Sequence, residues 1–360
     1  MREIGSHFYG EEKRPAPAFG QAGPLPFEDK VSDSFYLSTG RQAIRFCLLD
    51  AAPEKKTVLL PSYTCHSVIQ PFIHEGYSIQ FYPVDEKLGI SMGELARLSR
   101  SHNAGVLLFH PYFGFDSLAR EGDFPEDVTV IYDATQSFFS DLIYPGVDYV
   151  ISSLRKWGPF TDGAFAGKIK GHFTELSALM ADEDSNRLMR RAFELKRSYL
   201  AGEGPPKEEF LEAYRKGFTS LGGRGELFCM DPEAHALYRT FDFSQLMEKR
   251  RANYRSLLAF PVWEEIGRPL FTDLREKTVP LYFPFRVRQG RRAELQAYLA
   301  GHAVYAPVIW PRPATADPRG AAEELYGDLL ALPVDQRYGP DDMERIKAVL
   351  NEYVTIGRGQ

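Results

Sequence analysis

Lys156 and Asp133 are the two residues from which a reaction can be built. Lys156 follows an apolar run rich in β-branched and aromatic residues (Val147, Tyr149, Val150, Ile151), then Ser152, Ser153 and Arg155, and a Gly/Pro-containing loop closes the stretch at Gly163. This pattern predicts a buried strand that presents one lysine at its carboxyl edge. Upstream, Val128 to Tyr132 predicts a second buried strand, ending in Asp133, with Gln136 one turn further on. An amine that can bond a carbonyl carbon and a carboxylate that can hold a protonated ring nitrogen are what pyridoxal phosphate chemistry asks of a protein. The bland readings are a solvated lysine and a helix-capping aspartate. The buried strands that lead into both residues weigh against them.

Two rival chemistries use the same residues or the same fold class. Ser153-Leu-Arg-Lys156 matches the S-x-x-K of serine acyl enzymes, with Ser153 attacking and Lys156 as base. The companion K-T-G element is missing, and that serine should open a helix rather than end a strand. A dinucleotide-binding dehydrogenase lacks its G-x-G-x-x-G. The non-enzymatic alternative is a pyridoxal-phosphate-binding regulatory or scaffold protein, since fold does not fix function.

The elements that must position the pair are legible in order. Phe35 to Arg41 leads into Gln42 to Leu49, whose apolar positions suit a helix. The small-residue turn before it would point free backbone N–H groups outward, which suits a phosphate, although Ser and Thr before a helix are more often plain caps. Strands are predicted at Val58–Leu60, Ile79–Val84, Val106–Phe109, Val128–Tyr132, Val147–Ile151 and Ala164–Ile169, with helices at Ser67–Ile73 and Met92–Leu98. Near-continuous apolar strands alternating with helices imply an α/β fold with a largely parallel sheet covered on both faces. Ligands of such sheets sit beyond the carboxyl ends of the strands. Gly40, Ser62 to His66, His110, Asp133 and Ser152 to Lys156 can therefore meet in one crevice.

Phe173 to Phe218 reads as helical, broken at Gly202 to Pro206, and His235 to Leu258 as one long helix. Val279–Val287 and Val304–Val308 read as strands, Arg291–Leu299 and Asp341–Tyr353 as helices. This describes a small α/β domain after a large one. Residues up to about Asp33 carry Pro15, Pro17, Pro24 and Pro26 and predict an irregular arm that packs on the body or on a partner subunit.

Composition excludes other classes. With 44% hydrophobic residues in 360, a large core is affordable. The net charge of −6 comes with no basic block, which argues against a nucleic-acid partner. Cys47, Cys65 and Cys229 are too scattered for a disulfide framework, and no metal site is expected. The chain has no apolar run of membrane-spanning length and no h-region near Met1, so a reduced, cytoplasmic protein without a membrane partner is expected.

Several motifs now stand in a familiar order. Ser38-Thr-Gly-Arg-Gln-Ala-Ile44, Leu60-Pro-Ser-Tyr-Thr-Cys-His66, Asp133-Ala-Thr-Gln136 and Lys156 resemble the sugar aminotransferases of the DegT/DnrJ/EryC1/StrS family. Phe283-Pro-Phe-Arg-Val287, Val304 to Pro311 and Leu332 to Tyr338 resemble that family's small domain. The resemblance implies the aspartate-aminotransferase-like fold type I of pyridoxal 5'-phosphate enzymes, and a homodimer with sites at the subunit interface. It implies an arm over residues 1–34, a large cofactor-binding domain over 35–240 and a small domain over 241–360. Carried over by position, Lys156 would bond the cofactor and then shuttle protons, and Asp133 would pair with the pyridinium nitrogen. Gln136 would contact the ring's phenolic oxygen. Thr39, Gly40 and Arg41 would meet the phosphate with Ser152 or Ser153, and Cys65 or His66 would stack on the ring.

The implied reaction is ping-pong transfer of an amino group from a small-molecule donor, glutamate or glutamine, to a keto acceptor. That acceptor would be a nucleotide-linked sugar or a similar small carbonyl compound. A sugar dehydratase of the same family carries histidine in place of the lysine, so Lys156 argues for transamination. The chain departs from the family at Cys65, where an aromatic residue is usual, and in the short loop before Lys156. It departs again at Gly225 to Asp231, where a partner subunit's contribution is usually read.

Overall fold

A computed structural model describes residues 3–10, 25–174, 179–223, 225–288 and 290–358. The chain alternates β1 (Asp33–Leu37), α1 (Gly40–Ala51), β2 (Thr57–Pro61), α2 (His66–His74), β3 (Ser78–Tyr82), β4 (Ile90–Ser91), α3 (Met92–Ser101) and β5 (Val106–Phe109). It continues through β6 (Leu118–Ala119), β7 (Thr129–Asp133), β8 (Tyr149–Ser153) and β9 (Ala164–Lys168). A seven-stranded sheet has the order β1-β9-β8-β7-β5-β2-β3. β3, β2, β5, β7 and β8 are parallel, while β9 and β1 close one edge antiparallel. The expectation of a largely parallel sheet holds, with the strand after Lys156 running back along β8.

Alternation along each strand divides the core. Val58, Leu60, Leu108, Ile131 and Ile151 face Ile44, Phe46, Ile69 and Phe72 of α1 and α2. Leu59, Leu107, Phe109, Val130, Tyr132 and Val150 face the other way, into a core that continues into the C-terminal region. Burying each such side chain contributes about 1.5–3 kcal/mol, and a one-residue slip would turn every one of them outward. The register is therefore tightly held, and so is which residue ends each strand.

The next elements are α4 (Glu183–Ala201), α5 (Lys207–Gly223), α6 (Pro232–Arg239), α7 (Phe243–Leu258) and the short α8 (Trp263–Ile266). A three-stranded antiparallel sheet of β10 (Gly267–Pro269), β11 (Phe283–Val287) and β12 (Leu329–Leu332) follows, with α9 (Arg292–Gly301), α10 (Ala322–Asp328) and α11 (Pro340–Arg358).

Four readings are corrected here. His235–Leu258 is two helices, because the Asp242 side chain accepts the Gln245 N–H and starts α7 afresh. The helix expected from Phe173 begins only at Glu183, capped by Asp182; Phe173 and Thr174 are non-helical, and 175–178 lie outside the described residues. Val304–Val308 forms no ladder strand; Val304 bridges Ile4 alone, Pro307 removes a donor, and β12 fills the sheet. Phe35–Leu37, taken as part of a lead-in to α1, belongs with Asp33 and Ser34 to an edge strand on β9.

Residues 3–10 pack on the body, while 11–24 of the expected arm lie outside the described residues. The Gly5 N–H donates to the Tyr338 hydroxyl at 2.7 Å, and the Arg337 guanidinium donates to the Ser6 and His7 carbonyls at 3.0 and 3.1 Å. Among the described residues no helix is long and apolar enough to cross a membrane.

Candidate active site

β8 ends at Ser153, and Leu154–Lys156 form a single 3₁₀ turn, so Lys156 stands at the carboxyl edge of the central sheet. What holds that turn is the residue after it. Trp157 is buried, its indole N–H donates to the Thr135 carbonyl at 2.9 Å, and its own carbonyl accepts from the Gln336 side chain at 2.7 Å. The Arg250 guanidinium lies 4.7 Å over its ring. The Thr135 hydroxyl accepts the Ser153 N–H at 3.0 Å. Each neutral bond is worth about 1 kcal/mol net, but together they lock the loops after β7 and β8 against one another.

Asp133 ends β7, in register with Ile151, and is 5% exposed. Its Oδ1 accepts the Thr135 N–H at 2.9 Å. Burial pushes its carboxyl up from the usual range, and the Thr135 bonds and the charge of Lys156 pull it back. A buried carboxylate of this kind is stabilised by a cation or a protonated ring nitrogen beside it.

His110 follows β5 and lies in the electrostatic reach of the same lysine. Its Nε2 is 3.1 Å from the Thr64 hydroxyl, and its ring meets Tyr112 at 4.6 Å and Trp310 at 5.2 Å. Burial, then Lys156, presses its pKa down to about 3, so the ring is neutral at neutral pH. Its Nδ1 is buried without a partner. Gln136 is buried too; its Oε1 accepts the Phe113 N–H at 2.7 Å, and its Nε2 has no partner. Orphan polar atoms in a buried crevice need an explanation, and a bound polar ring would supply one.

At the other end of the crevice Thr39 caps α1, its hydroxyl accepting the Gln42 N–H. Gly40 allows a close approach: a Cβ there would lie 3.3 Å from Cβ of Ser153, tighter than most such contacts. Ser153 shares its strand face with Tyr149 and Ile151, toward α1, whereas Ser152 turns to the opposite face with Val150. The Ser152 hydroxyl is buried there without a partner. The Arg41 guanidinium reaches Gln70 at 3.3 Å and runs along Gly222 of α5. Cys65 is half-buried at the N-cap of α2 and makes no cap bond, and His66 is exposed. The Tyr326 hydroxyl clamps the preceding turn, accepting the Thr64 N–H at 2.9 Å and donating to the Thr64 carbonyl at 2.7 Å.

Gly40, Thr64, His110, Asp133, Ser153 and Lys156 thus gather at one sheet edge. Of the residues that position them, Thr135 lies within a motif already noted and Trp157 directly follows Lys156, whereas Tyr326 carries no sequence signal. A cavity of about 680 Å³ opens beside Lys156, between Ser153 and Arg155 on one side and Tyr214, Phe218 and the Gly5–Phe8 segment on the other. A larger hollow, about 810 Å³, lies away from these groups, around Lys55, Asp127 and Lys170.

Solved structures share this architecture. A DegT DnrJ EryC1 StrS aminotransferase from Brucella abortus superposes with a TM-score of 0.59 at 13% identity, over 91% of this chain and 87% of that one. This chain has the fold type I aminotransferase fold. A sugar aminotransferase from Micromonospora echinospora (TM-score 0.58, 14% identity, 89% and 87% coverage) has it too. So does NtdA from Bacillus subtilis, solved with bound cofactor PMP (0.60, 14%, 89% and 73%). No family model and no curated protein matches the sequence. In open α/β sheets ligands lie beyond the carboxyl ends of the strands, and here that is the edge that carries Lys156 and Asp133.

Proposed function

We propose that the chain is a pyridoxal 5'-phosphate-dependent aminotransferase. It moves an amino group from glutamate or glutamine to the keto group of a nucleotide-linked sugar or a similar small carbonyl compound. The observation that carries this reading is the pairing, in an aminotransferase fold, of Lys156 with the buried Asp133 at the carboxyl edge of the sheet. The buried polar atoms without partners on Gln136 and His110 support a bound polar group beside them. When bound, the cofactor supplies an electron sink for the carbon that loses and regains a proton.

The chain's own groups do the rest. Lys156 would hold the cofactor through its amine and would move a proton at the reacting carbon. Asp133 keeps the ring nitrogen protonated, and that proton offsets the cost of its own burial. Gln136 offers its free Nε2 to the ring oxygen. The first N–H groups of α1 and the Ser153 hydroxyl serve the phosphate. Cys65 or its neighbour His66 would stack on the ring, and Arg41, which follows Gly40, would add its charge to the phosphate end. The sugar acceptor is supported by the neighbours of this fold, one of which is a sugar aminotransferase by name. We further propose a homodimer working in the cytoplasm.

The test is direct. Purified protein is mixed with pyridoxal phosphate, its visible absorbance recorded, and the mixture reduced with borohydride and mapped by mass. The expected result is a cofactor-sized label on Lys156, absent in Lys156→Ala, and loss of the visible band when glutamate is added before reduction. No labelled lysine would overturn the reading. Label on Lys156 without any response to amino donors would move the catalytically inactive regulatory or scaffold role to the front.

A further inference from the structure

Arg155 has no place in the reaction as proposed, and its surroundings are unusual for a cation. Among the described residues it makes no hydrogen bond and no ion pair; its Nε is buried without a partner. Its guanidinium lies 5.1 Å from the Phe218 ring. Burial pushes its pKa down to about 10, the charge of Asp162 raises it, and the charge of Arg41 lowers it further. It is still protonated at neutral pH, so a guanidinium sits partly desolvated without a counter-charge in contact. Such a charge is costly until an anion meets it.

The place of that anion follows from its neighbours. Arg155 shares its cavity wall with Ser153 and Lys156. Ser153 is 9% exposed, and its hydroxyl lies 3.9 Å from where a Cβ on Gly40 would be, at the opening of the twelve-residue α1. The first N–H groups of that helix have no acceptor within it. Arg155 and Arg41 feel each other's charge, so both belong to the same end of the crevice.

We infer that Arg155 binds the phosphate of the cofactor, completing a site made by the N-terminus of α1 and the Ser153 hydroxyl. This rests on the proposed function. A substrate carboxylate offers the same chemistry, but the position of Arg155 beside Ser153 and within reach of Arg41 favours the phosphate.

The experiment compares pyridoxal phosphate with pyridoxal, which lacks the phosphate, on the protein stripped of cofactor. In Arg155→Met the dissociation constant for pyridoxal phosphate should rise about 30–100-fold, the scale of a lost charge-assisted contact, while that for pyridoxal moves less than about twofold. Arg155→Lys should fall between, since a point charge replaces a fork, and it serves if the Met variant does not fold. Equal shifts for both ligands, or none for either, would overturn the inference. So would an unchanged pyridoxal phosphate affinity with a raised half-saturating glutamate concentration, which would give Arg155 to the substrate. Failure of wild-type protein to be labelled at Lys156 is the separate failure of the proposed function.

Discussion

Asp162 gives the sharpest test of the electrostatics around this site. It is fully buried in the loop between Lys156 and β9, accepting from the Asn186 side chain at 3.0 Å and from the Asp231 N–H at 3.1 Å. Burial raises its pKa from 3.8 to about 6, against the lowering effect of those two donors. The folded state therefore holds the proton more tightly than the unfolded chain. Its stabilising contribution is full below about pH 4 and is lost as pH rises through 6. The difference between 3.8 and about 6 corresponds to about 3 kcal/mol. Asp162→Asn removes that proton and leaves a side chain of the same size. The stability of the variant relative to wild type should then climb by about 2–3 kcal/mol between pH ~4 and ~7. Urea unfolding midpoints of both proteins across that range measure it. Two curves that stay parallel would refute the argument, and a variant that loses ground with rising pH would reverse its sign.

Two further substitutions probe the core of the site and its scaffold. Asp133→Asn should still bind pyridoxal phosphate while turnover falls about 10²–10⁴-fold, the range of a proton-handling group; unchanged turnover removes the pyridinium role. Gly114→Ala should lower stability by more than about 2 kcal/mol in urea unfolding. Gly114 has φ +96°, and a Cβ there would lie 2.1 Å from the Val279 carbonyl. A neutral result would mean that the turn after His110 relaxes freely.

The strands were legible because each is a short apolar run ended by a polar residue. Val106–Phe109 was read to the residue, and Asp133 and Ser153 proved to be strand ends. Convergence of Gly40, His110, Asp133 and Lys156 followed from the rule for parallel sheets rather than from any local signal. What escaped were features set by tertiary contact. The break in His235–Leu258 depends on one cap at Asp242 that outweighs a continuous helical pattern. The choice between Ser152 and Ser153 is a matter of strand face, and a period of two cannot be phased without knowing which side carries α1. Trp157 looked like a loop residue, yet it bears much of the weight of holding Lys156. Arg155 stood out in sequence only as the residue before Lys156, and its buried Nε without a partner is visible only in three dimensions.

One wall of the cavity beside Lys156 is built from residues 5–8, yet Arg337 and Tyr338, whose partners lie more than three hundred residues earlier, hold them there. During synthesis the large sheet can close as soon as β9 has emerged, and Lys156 would then face open solvent. Residues 5–8 can meet Lys196 and Tyr214 once α4 and α5 have emerged, but they gain Arg337 and Tyr338 only when the turn before α11 leaves the ribosome. A translating chain thus acquires its reactive lysine early and its shelter late. That ordering leaves an interval in which the amine is open to any aldehyde in solution.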